Sequence, residues 1–396
     1  MIKNWTPIQK YLLILGLCLS IVPLLGLLNY AFLMKSLEFD NIGNIIKKQL
    51  QDGALYCSAV HHVIYHYKFS LFKEVKPTVV ALGASRVMQV RSSYFTVPFV
   101  NLGAAMQSFR EGEHLPKDMV AYHKPEVVLI GLDPWWFSLR GQLLDGGNPE
   151  ATGEEFQIDT IFLPCDWFLK GKLSFSYYFQ ILLGKDPNPF PTIGVLVGNW
   201  LEGFYKDGSY YYLGRAAGLR RVSKDIRRFA DIVEAINQGN GLFTNTQAIN
   251  QERWQEFVSL AQSVQQKNIR LIVFLSPLPG QIIDLMTKMA AKYAYIDELR
   301  VRLPEVTRHY YDFYDPRSFG SCDCEFFDGW HAGEIAFLRI LQEIAKDPAS
   351  GLAPYLDRQK VAECIRQYRC RCMVPPPFYK QPYTEGDFLE LGCKKN

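Results

Sequence analysis

Strand-like and helix-like segments alternate along much of this 396-residue chain, and this alternation constrains the fold more than any other feature. Three runs rich in Val, Leu and Ile have the composition of buried strands: 77–82, 98–102 and 125–132. Helical segments are predicted between them at 86–92 and 107–122. The pattern resumes with a helix at 251–267, a strand at 269–275, a helix at 279–300 and a strand near 309–314. Such alternation predicts an α/β protein, a parallel sheet with helices on both faces.

The first of these strands runs into Gly83-Ala84-Ser85. Gly83 permits a sharp turn, and Ser85 falls where the strand ends and a helix can begin. The Ser85 hydroxyl would then lie at the carboxyl edge of the sheet, where α/β folds bind their ligands. Serine is also a favoured helix N-cap. This stretch alone therefore leaves two roles open for Ser85, a nucleophile or a cap.

A second motif, Asp328-Gly329-Trp330-His331, precedes an apolar helical run that extends from 335 to 344. An Asp three residues before a His in such a loop can orient the imidazole as a base. A serine hydroxyl is a poor nucleophile unless a base takes its proton, and a third group improves that base by holding its tautomer. Ser85, His331 and Asp328 together therefore predict a Ser-His-Asp catalytic set.

The order of these motifs resembles the SGNH/GDSL hydrolase superfamily, over residues 77–137 and 308–345. The likeness is strongest to its membrane-anchored acyl-transfer branch, which includes alginate O-acetyltransferase proteins and the D-alanyl-transfer protein of teichoic acids. The resemblance implies an SGNH-like (flavodoxin-like) domain in which Ser85 is the nucleophile, His331 the base and Asp328 its orienting carboxylate. It also implies an oxyanion hole formed by Ser85 and by the backbone N–H of Gly103, in Asn101-Leu102-Gly103.

The chain departs from that family at Gly131-Leu132-Asp133-Pro134, where the family has Gly-x-Asn-Asp. An ionised Asp133 would repel an oxyanion unless it is protonated or turned away. The aromatic residues that follow could pack as core beneath a loop or stack against a sugar ring. The candidate substrate-binding residues are those near the two motifs: Arg86, Asp133, Trp135, Trp136 and Trp330.

The amino-terminal region predicts a membrane anchor. Residues 11–33 contain no charge, and 23 residues are enough to cross a hydrocarbon core of about 30 Å. Lys3 and Lys10 precede the run while Glu38 and Asp40 follow it, so the positive-inside rule places the main domain outside the cytoplasm. A cleaved signal peptide is the alternative, but no convincing small-x-small cleavage site follows.

The net charge of +3 arises within residues 1–35, which hold three Lys and no acid, leaving 40 basic and 40 acidic residues beyond. This balance argues against a nucleic-acid partner, because phosphate contacts require excess positive charge.

The remaining segments are a helical segment at 36–76, an aromatic-rich insertion at 138–250 and a Cys- and Pro-rich tail at 346–396 that is predicted to be irregular. The insertion is interpreted as a lid or membrane-facing cap, or as a packed helical subdomain. His61, His62 and His66 are close in sequence, but no metal-site pattern accompanies them, so neither metal nor cofactor is predicted. An oxidising compartment would allow disulfides between the 322/324 loop and the tail.

Together with the predicted anchor, the resemblance implies an extracytoplasmic enzyme that O-acetylates a cell-surface polysaccharide through an acyl-Ser85 intermediate. Its partners would be the membrane, the polysaccharide acceptor and a multi-span membrane acyltransferase that delivers the acyl group. Two alternatives remain open. One is a non-catalytic scaffold or glycan-binding protein with the same fold, and the other is an esterase that removes acyl groups from glycan.

Overall fold

The computed structural model describes residues 6–60, 64–138, 158–220 and 222–395. Within these ranges the strands, in chain order, are β1 (Leu55–Tyr56), β2 (Val79–Gly83), β3 (Phe99–Gly103), β4 (Val127–Leu132), β5 (Thr192–Ile193), β6 (Gly203–Phe204), β7 (Tyr210–Tyr211), β8 (Arg270–Leu275) and β9 (Tyr310–Asp312). The helices are α1 (Pro7–Lys35), α2 (Ile42–Asp52), α3 (Ile64–Val75), α4 (Phe109–Gly112), α5 (Leu115–Tyr122), α6 (Leu163–Leu169), α7 (Phe175–Leu182), α8 (Val195–Trp200), α9 (Leu213–Ala216), α10 (Ala230–Gln238), α11 (Gln251–Gln266), α12 (Gly280–Thr287), α13 (Ala294–Val306), α14 (Glu334–Lys346) and α15 (Arg358–Gln367).

The main sheet has the order β3-β2-β4-β8-β9, and every neighbouring pair is parallel. All residues of β2, β3 and β4 are buried. Because successive side chains of a strand point to opposite faces, this burial means that both faces of the central sheet are covered. The α/β prediction is therefore confirmed. The chain runs from β2 to β3 on one side and then crosses to β4 on the other, so the strand order reverses between β2 and β4.

Three glycines stand in one row across the carboxyl ends of the central strands, since Gly83 is in register with both Gly103 and Gly131. The side chain of Val87, from the turn after β2, packs over this row. A Cβ atom added to Gly131 would lie 2.2 Å from Val87 Cγ1, and one on Gly103 would lie 2.9 Å from Val87 Cγ2. The glycines thus allow the turn that carries Ser85 to lie directly on the sheet edge.

A second, smaller sheet has the order β5-β1-β6-β7. Strand β1 comes from the 36–76 segment, whereas β5, β6 and β7 come from the 138–250 insertion. These two segments are therefore one structural unit in the described residues. The part of the insertion at 139–157 and position 221 lies outside them.

Helix α1 covers the apolar run predicted as a membrane span. Among the side chains of α1 that the structure describes, the buried ones lie toward its carboxyl end, where Phe32 and Leu33 pack with Tyr177 and Tyr178 of α7. No helix among the described residues combines the length and the apolar character required to cross a bilayer.

The tail is more regular than predicted, because α15 packs against α14. Helix α15 is mostly polar, and only Val361 and Cys364 of its ten residues are buried. A disulfide joins Cys324 to Cys393 and confirms a link between the 322/324 loop and the tail. The Sγ atoms of Cys322 and Cys370 lie 3.8 Å apart in the same region.

A fully buried lysine connects three parts of the fold. The Nζ atom of Lys68, in α3, donates hydrogen bonds to the carbonyl of Asn101, at 3.0 Å, and to the carbonyl of Gly208. It also lies 4.5 Å from the centre of the Phe204 ring. Burial lowers the pKa of Lys68 to about 7, although the nearby carboxylate of Asp207 opposes this shift.

This shift predicts a rise in stability with pH. Between pH 7 and 9 the unfolded chain keeps its Lys68 proton while the folded chain loses it, so the free energy of unfolding should increase by about 2 kcal/mol over that window. Urea unfolding at pH 7, 8 and 9 measures this change. The Lys68→Met variant should lack this contribution, and parallel pH curves for the two proteins would contradict the prediction.

Candidate active site

Ser85 begins a short 3-10 turn, Ser85–Val87, directly after β2. Ala84 occupies the N-cap position of this turn and no side chain caps it. The Ser85 hydroxyl instead lies 2.9 Å from Nε2 of His331. The cap interpretation of Ser85 is therefore wrong, because its oxygen is directed at an imidazole rather than at the backbone of its own turn.

Asp328 holds the other side of that imidazole. Both of its carboxylate oxygens lie 2.9 Å from His331 Nδ1, and Oδ1 also accepts the backbone N–H groups of Trp330 and His331 at 2.9 and 2.8 Å. Burial alone would raise the pKa of Asp328. The charge and hydrogen bond of His331, with help from Arg215, outweigh burial and lower that pKa to about 2. The carboxylate is thus ionised across the neutral range and can stabilise an imidazolium.

Arg215, from the insertion, forms an ion pair with the carboxylate of Asp328. Its Nη1 atom lies 3.5 Å from Asp328 Oδ2, while Nε and Nη2 reach the two carboxylate oxygens of Glu202 at 3.0 and 3.2 Å. Its guanidinium also lies 4.6 Å from the centre of the Tyr212 ring, and that ring lies 6.0 Å from the imidazole of His331. Sequence reasoning missed this role, because Arg215 is more than 100 residues from either motif and has no characteristic spacing to them.

Arg86 and Asp133 form a buried ion pair at the same sheet edge, with Nη1 2.9 Å from Oδ1. The Nε atom of Arg86 donates to the carbonyl of Trp330 at 3.0 Å, and Nη2 donates to the carbonyl of Pro277. Arg86 therefore ties the serine turn, the ends of β4 and β8 and the histidine loop together. Burial raises the pKa of Asp133, whereas Arg86 and His331 act in the opposite direction. Arg86 supplies the positive charge that compensates this carboxylate.

Of the two predicted oxyanion-hole donors, the backbone N–H groups of Ser85 and Gly103, only that of Ser85 is left free by the described residues to bind a ligand. The backbone N–H of Gly103 donates to Oδ1 of Asn101 at 2.7 Å, and the Asn101 amide is fixed by the carbonyls of Val87 and Val90. The N–H of Gly103 is therefore already used in a hydrogen bond at the sheet edge and cannot donate to a ligand in this arrangement. The backbone N–H of Ser85 has no hydrogen-bond partner among the described residues.

A cavity of about 200 Å³ opens above the Ser85–His331 pair. It contains all five predicted substrate-binding residues, although Trp135 and Trp136 are only 5% and 1% exposed and pack mainly as core. Trp330 contacts Trp135 edge to face at 5.3 Å between ring centres. Their role in substrate binding stays a prediction. The cavity is lined by Ala84, Ser85, Arg86, Gln107, Asp133, Trp135, Trp136, Leu242, Trp330 and His331.

Across the described ranges, no group of three or more His, Cys, Asp or Glu side chains is arranged to hold a metal ion. Two of the three histidines considered from the sequence, His61 and His62, lie outside these ranges.

Comparison with known proteins gives no relative for this chain: no family model, no curated protein and no solved structure matches it.

Proposed function

We propose that this protein is an extracytoplasmic acyltransferase that moves a small acyl group, most simply acetyl, through Ser85 onto a hydroxyl of a cell-surface polysaccharide. The observation that carries the proposal is the continuous contact from Ser85 Oγ to His331 Nε2 and from His331 Nδ1 to Asp328. In this arrangement His331 takes the serine proton while Asp328 holds the imidazole tautomer and stabilises the imidazolium.

The topology supports an SGNH-like domain. Numbered by chain order within the main sheet, the strands run 2-1-3-4-5, the order of flavodoxin-like folds. Ser85 and Asp133 follow β2 and β4, the two strands between which the strand order reverses, and that crevice is where such sheets bind ligands. His331 reaches it from the loop before α14.

The size and charge of the pocket support a small, neutral acyl group. Its volume of about 200 Å³ is below the range of about 300–1,000 Å³ typical of pockets for larger ligands. The Arg86–Asp133 pair lowers the repulsion that a free carboxylate would exert on a developing oxyanion. An aspartate at position 133, where the resembled family has asparagine, is therefore compatible with acyl transfer.

A membrane location is part of the proposal. Helix α1 and the helices α6 and α7 of the insertion pack near one another, and together they expose many large apolar side chains. Exposed apolar surface of this extent is typical of contact with lipid or with an apolar membrane protein. A multi-span acyltransferase seated there could supply the acyl group. The exposed side chains include Leu12, Leu19, Leu24, Leu27, Leu169, Phe175, Phe179 and Leu183.

The test is to incubate the purified protein with 4-nitrophenyl acetate and to analyse it by peptide mass spectrometry. We expect acetyl on Ser85 and a faster release of nitrophenolate when a polysaccharide with free hydroxyls is added, because the acceptor resolves the acyl-enzyme. Acetylated polysaccharide should accumulate.

Other outcomes identify the alternatives. Release of acetate alone, with no effect of the polysaccharide, would indicate an esterase. Polysaccharide binding without any acetylation of Ser85 would indicate a glycan-binding scaffold and would contradict the proposed chemistry.

A further inference from the structure

We infer that the side-chain amide of Gln107 is an oxyanion-stabilising group of this site, acting together with the backbone N–H of Ser85. This inference rests on the proposed function, because an oxyanion forms only if Ser85 attacks an acyl carbonyl. It assigns a catalytic role to a residue that neither sequence motif contains.

Two donors that the family resemblance leads one to expect cannot stabilise an oxyanion here. The N–H of Gly103 is held by Asn101 Oδ1 at 2.7 Å. The position at which the resembled family has its asparagine is occupied by Asp133, which is acceptor-only when ionised and is paired with Arg86. A single backbone N–H of Ser85 would leave the oxyanion with one hydrogen bond, and each such donor contributes a large part of transition-state stabilisation.

Gln107 lies close to the proposed nucleophile. It lines the same cavity as Ser85 and His331 and comes from the loop after β3, next to the strand that carries the serine turn. Its side chain is half-buried, and its amide has no hydrogen-bond partner among the described residues. A neutral side chain with two N–H donors thus lines the small pocket that also contains Ser85 and His331.

The backbone of Gln107 is held in place by hydrogen bonds. Its N–H donates to Oε2 of Glu111 at 2.7 Å, and the following residue, Ser108, caps α4. Upstream, Ala104 adopts a φ of +67°, and its N–H is held by the carbonyl of Gly83. A donor on a fixed backbone needs little reorganisation when the charge develops, which is the condition for effective oxyanion stabilisation.

The reaction step balances without any further reagent. Ser85 Oγ forms a bond to the acyl carbon as its proton moves to His331 Nε2, and the carbonyl π pair becomes a lone pair on the oxyanion. Gln107 and the Ser85 N–H donate to that oxygen. Collapse restores the carbonyl, breaks the bond to the leaving oxygen and returns the proton from His331 to the leaving group.

The test compares Gln107→Met with the wild-type protein in the hydrolysis of 4-nitrophenyl acetate. Methionine keeps the length of the side chain and removes both donors. We expect kcat to fall about 10²- to 10³-fold while KM changes only a few-fold, because the donors act mainly on the transition state. Gln107→Glu should lose at least as much, since a carboxylate repels the oxyanion. Gln265→Ala, an exposed glutamine on α11, is the matched control and should keep wild-type kinetics.

Melting curves separate loss of the donor from loss of the fold, and Gln107→Met should melt close to the wild-type temperature. A Gln107→Met protein that keeps the wild-type kcat while Ser85→Ala is inactive would overturn this inference and leave the proposed function standing. If Ser85→Ala itself turns over the ester at the wild-type rate, the proposed function fails first. A decrease in activity seen only as a higher KM would also overturn the assignment, because it would indicate a role in ground-state binding.

Discussion

Replacing Ser85 by alanine is expected to reduce acyl transfer from 4-nitrophenyl acetate by about 10⁴-fold or more, because the nucleophile is lost and only background catalysis by the pocket remains. The melting temperature should hardly change. The Ser85 hydroxyl contacts His331 and caps no helix, so its removal leaves the turn and the sheet edge intact. Enzyme kinetics combined with a thermal melt measures both effects.

Ser174→Ala provides the matched control. Ser174 caps α7, where its Oγ accepts the N–H of Tyr177 at 3.2 Å. Loss of such a cap typically costs about 1 kcal/mol of stability and should leave acyl transfer unchanged. If Ser85→Ala behaves like this control, melting earlier yet still transferring acyl groups, then Ser85 is structural and the proposed chemistry is excluded.

Replacing Asp328 by asparagine should lower kcat by about 10⁴-fold, the effect expected when the carboxylate that orients a catalytic histidine is lost. An amide nitrogen directed at His331 Nδ1 would favour the tautomer that carries its proton on Nε2, and that nitrogen could then no longer accept the proton of Ser85. Arg215 would also lose a charged partner. Steady-state kinetics measures the loss of kcat. Labelling of Ser85 by a fluorophosphonate should slow in parallel.

Asp315→Asn controls for the removal of a negative charge as such. Asp315 pairs with Arg317 on a part of the surface that does not line the cavity. Its substitution should leave the kinetics within a factor of about two. An Asp328→Asn protein within tenfold of wild-type kcat would contradict the assignment of Asp328 as the orienting group.

Much of the α/β sheet could be predicted because its central strands, β2, β3 and β4, are short, fully buried and rich in apolar residues. The predicted strands at 77–82, 98–102, 125–132 and 269–275 each overlap an observed strand. The helix predicted at 279–300 is interrupted between α12 and α13, and the helix predicted at 107–122 is divided into α4 and α5. Local periodicity indicates that a segment is helical, but the position of a break depends on what the segment packs against.

The insertion was predicted less well. Its aromatic residues suggested a lid, a cap or a packed subdomain, and nothing in their order indicated that β5 and β6 would pair with β1 from the preceding segment. Two-residue strands carry almost no periodic signal. The pairing of β1 with β5 and β6 joins segments more than 100 residues apart, which no local pattern records.

The sequence by itself determined which residues would be brought together at the candidate site: a serine after the first strand of the main sheet, and a histidine with an aspartate three residues earlier. These could be predicted because each motif is local, and because parallel strands and the loops beyond them meet at one edge of a sheet. The tertiary structure decided which groups support them. The folded structure brings Arg215 close to Asp328 and pairs Arg86 with Asp133. It also directs the N–H of Gly103 to the side-chain oxygen of Asn101. The side-chain amide of Gln107 has no protein partner among the described residues. Each of these outcomes depends on which donor and acceptor come within about 3 Å of each other in the folded chain, and that distance is set by packing between segments far apart in sequence.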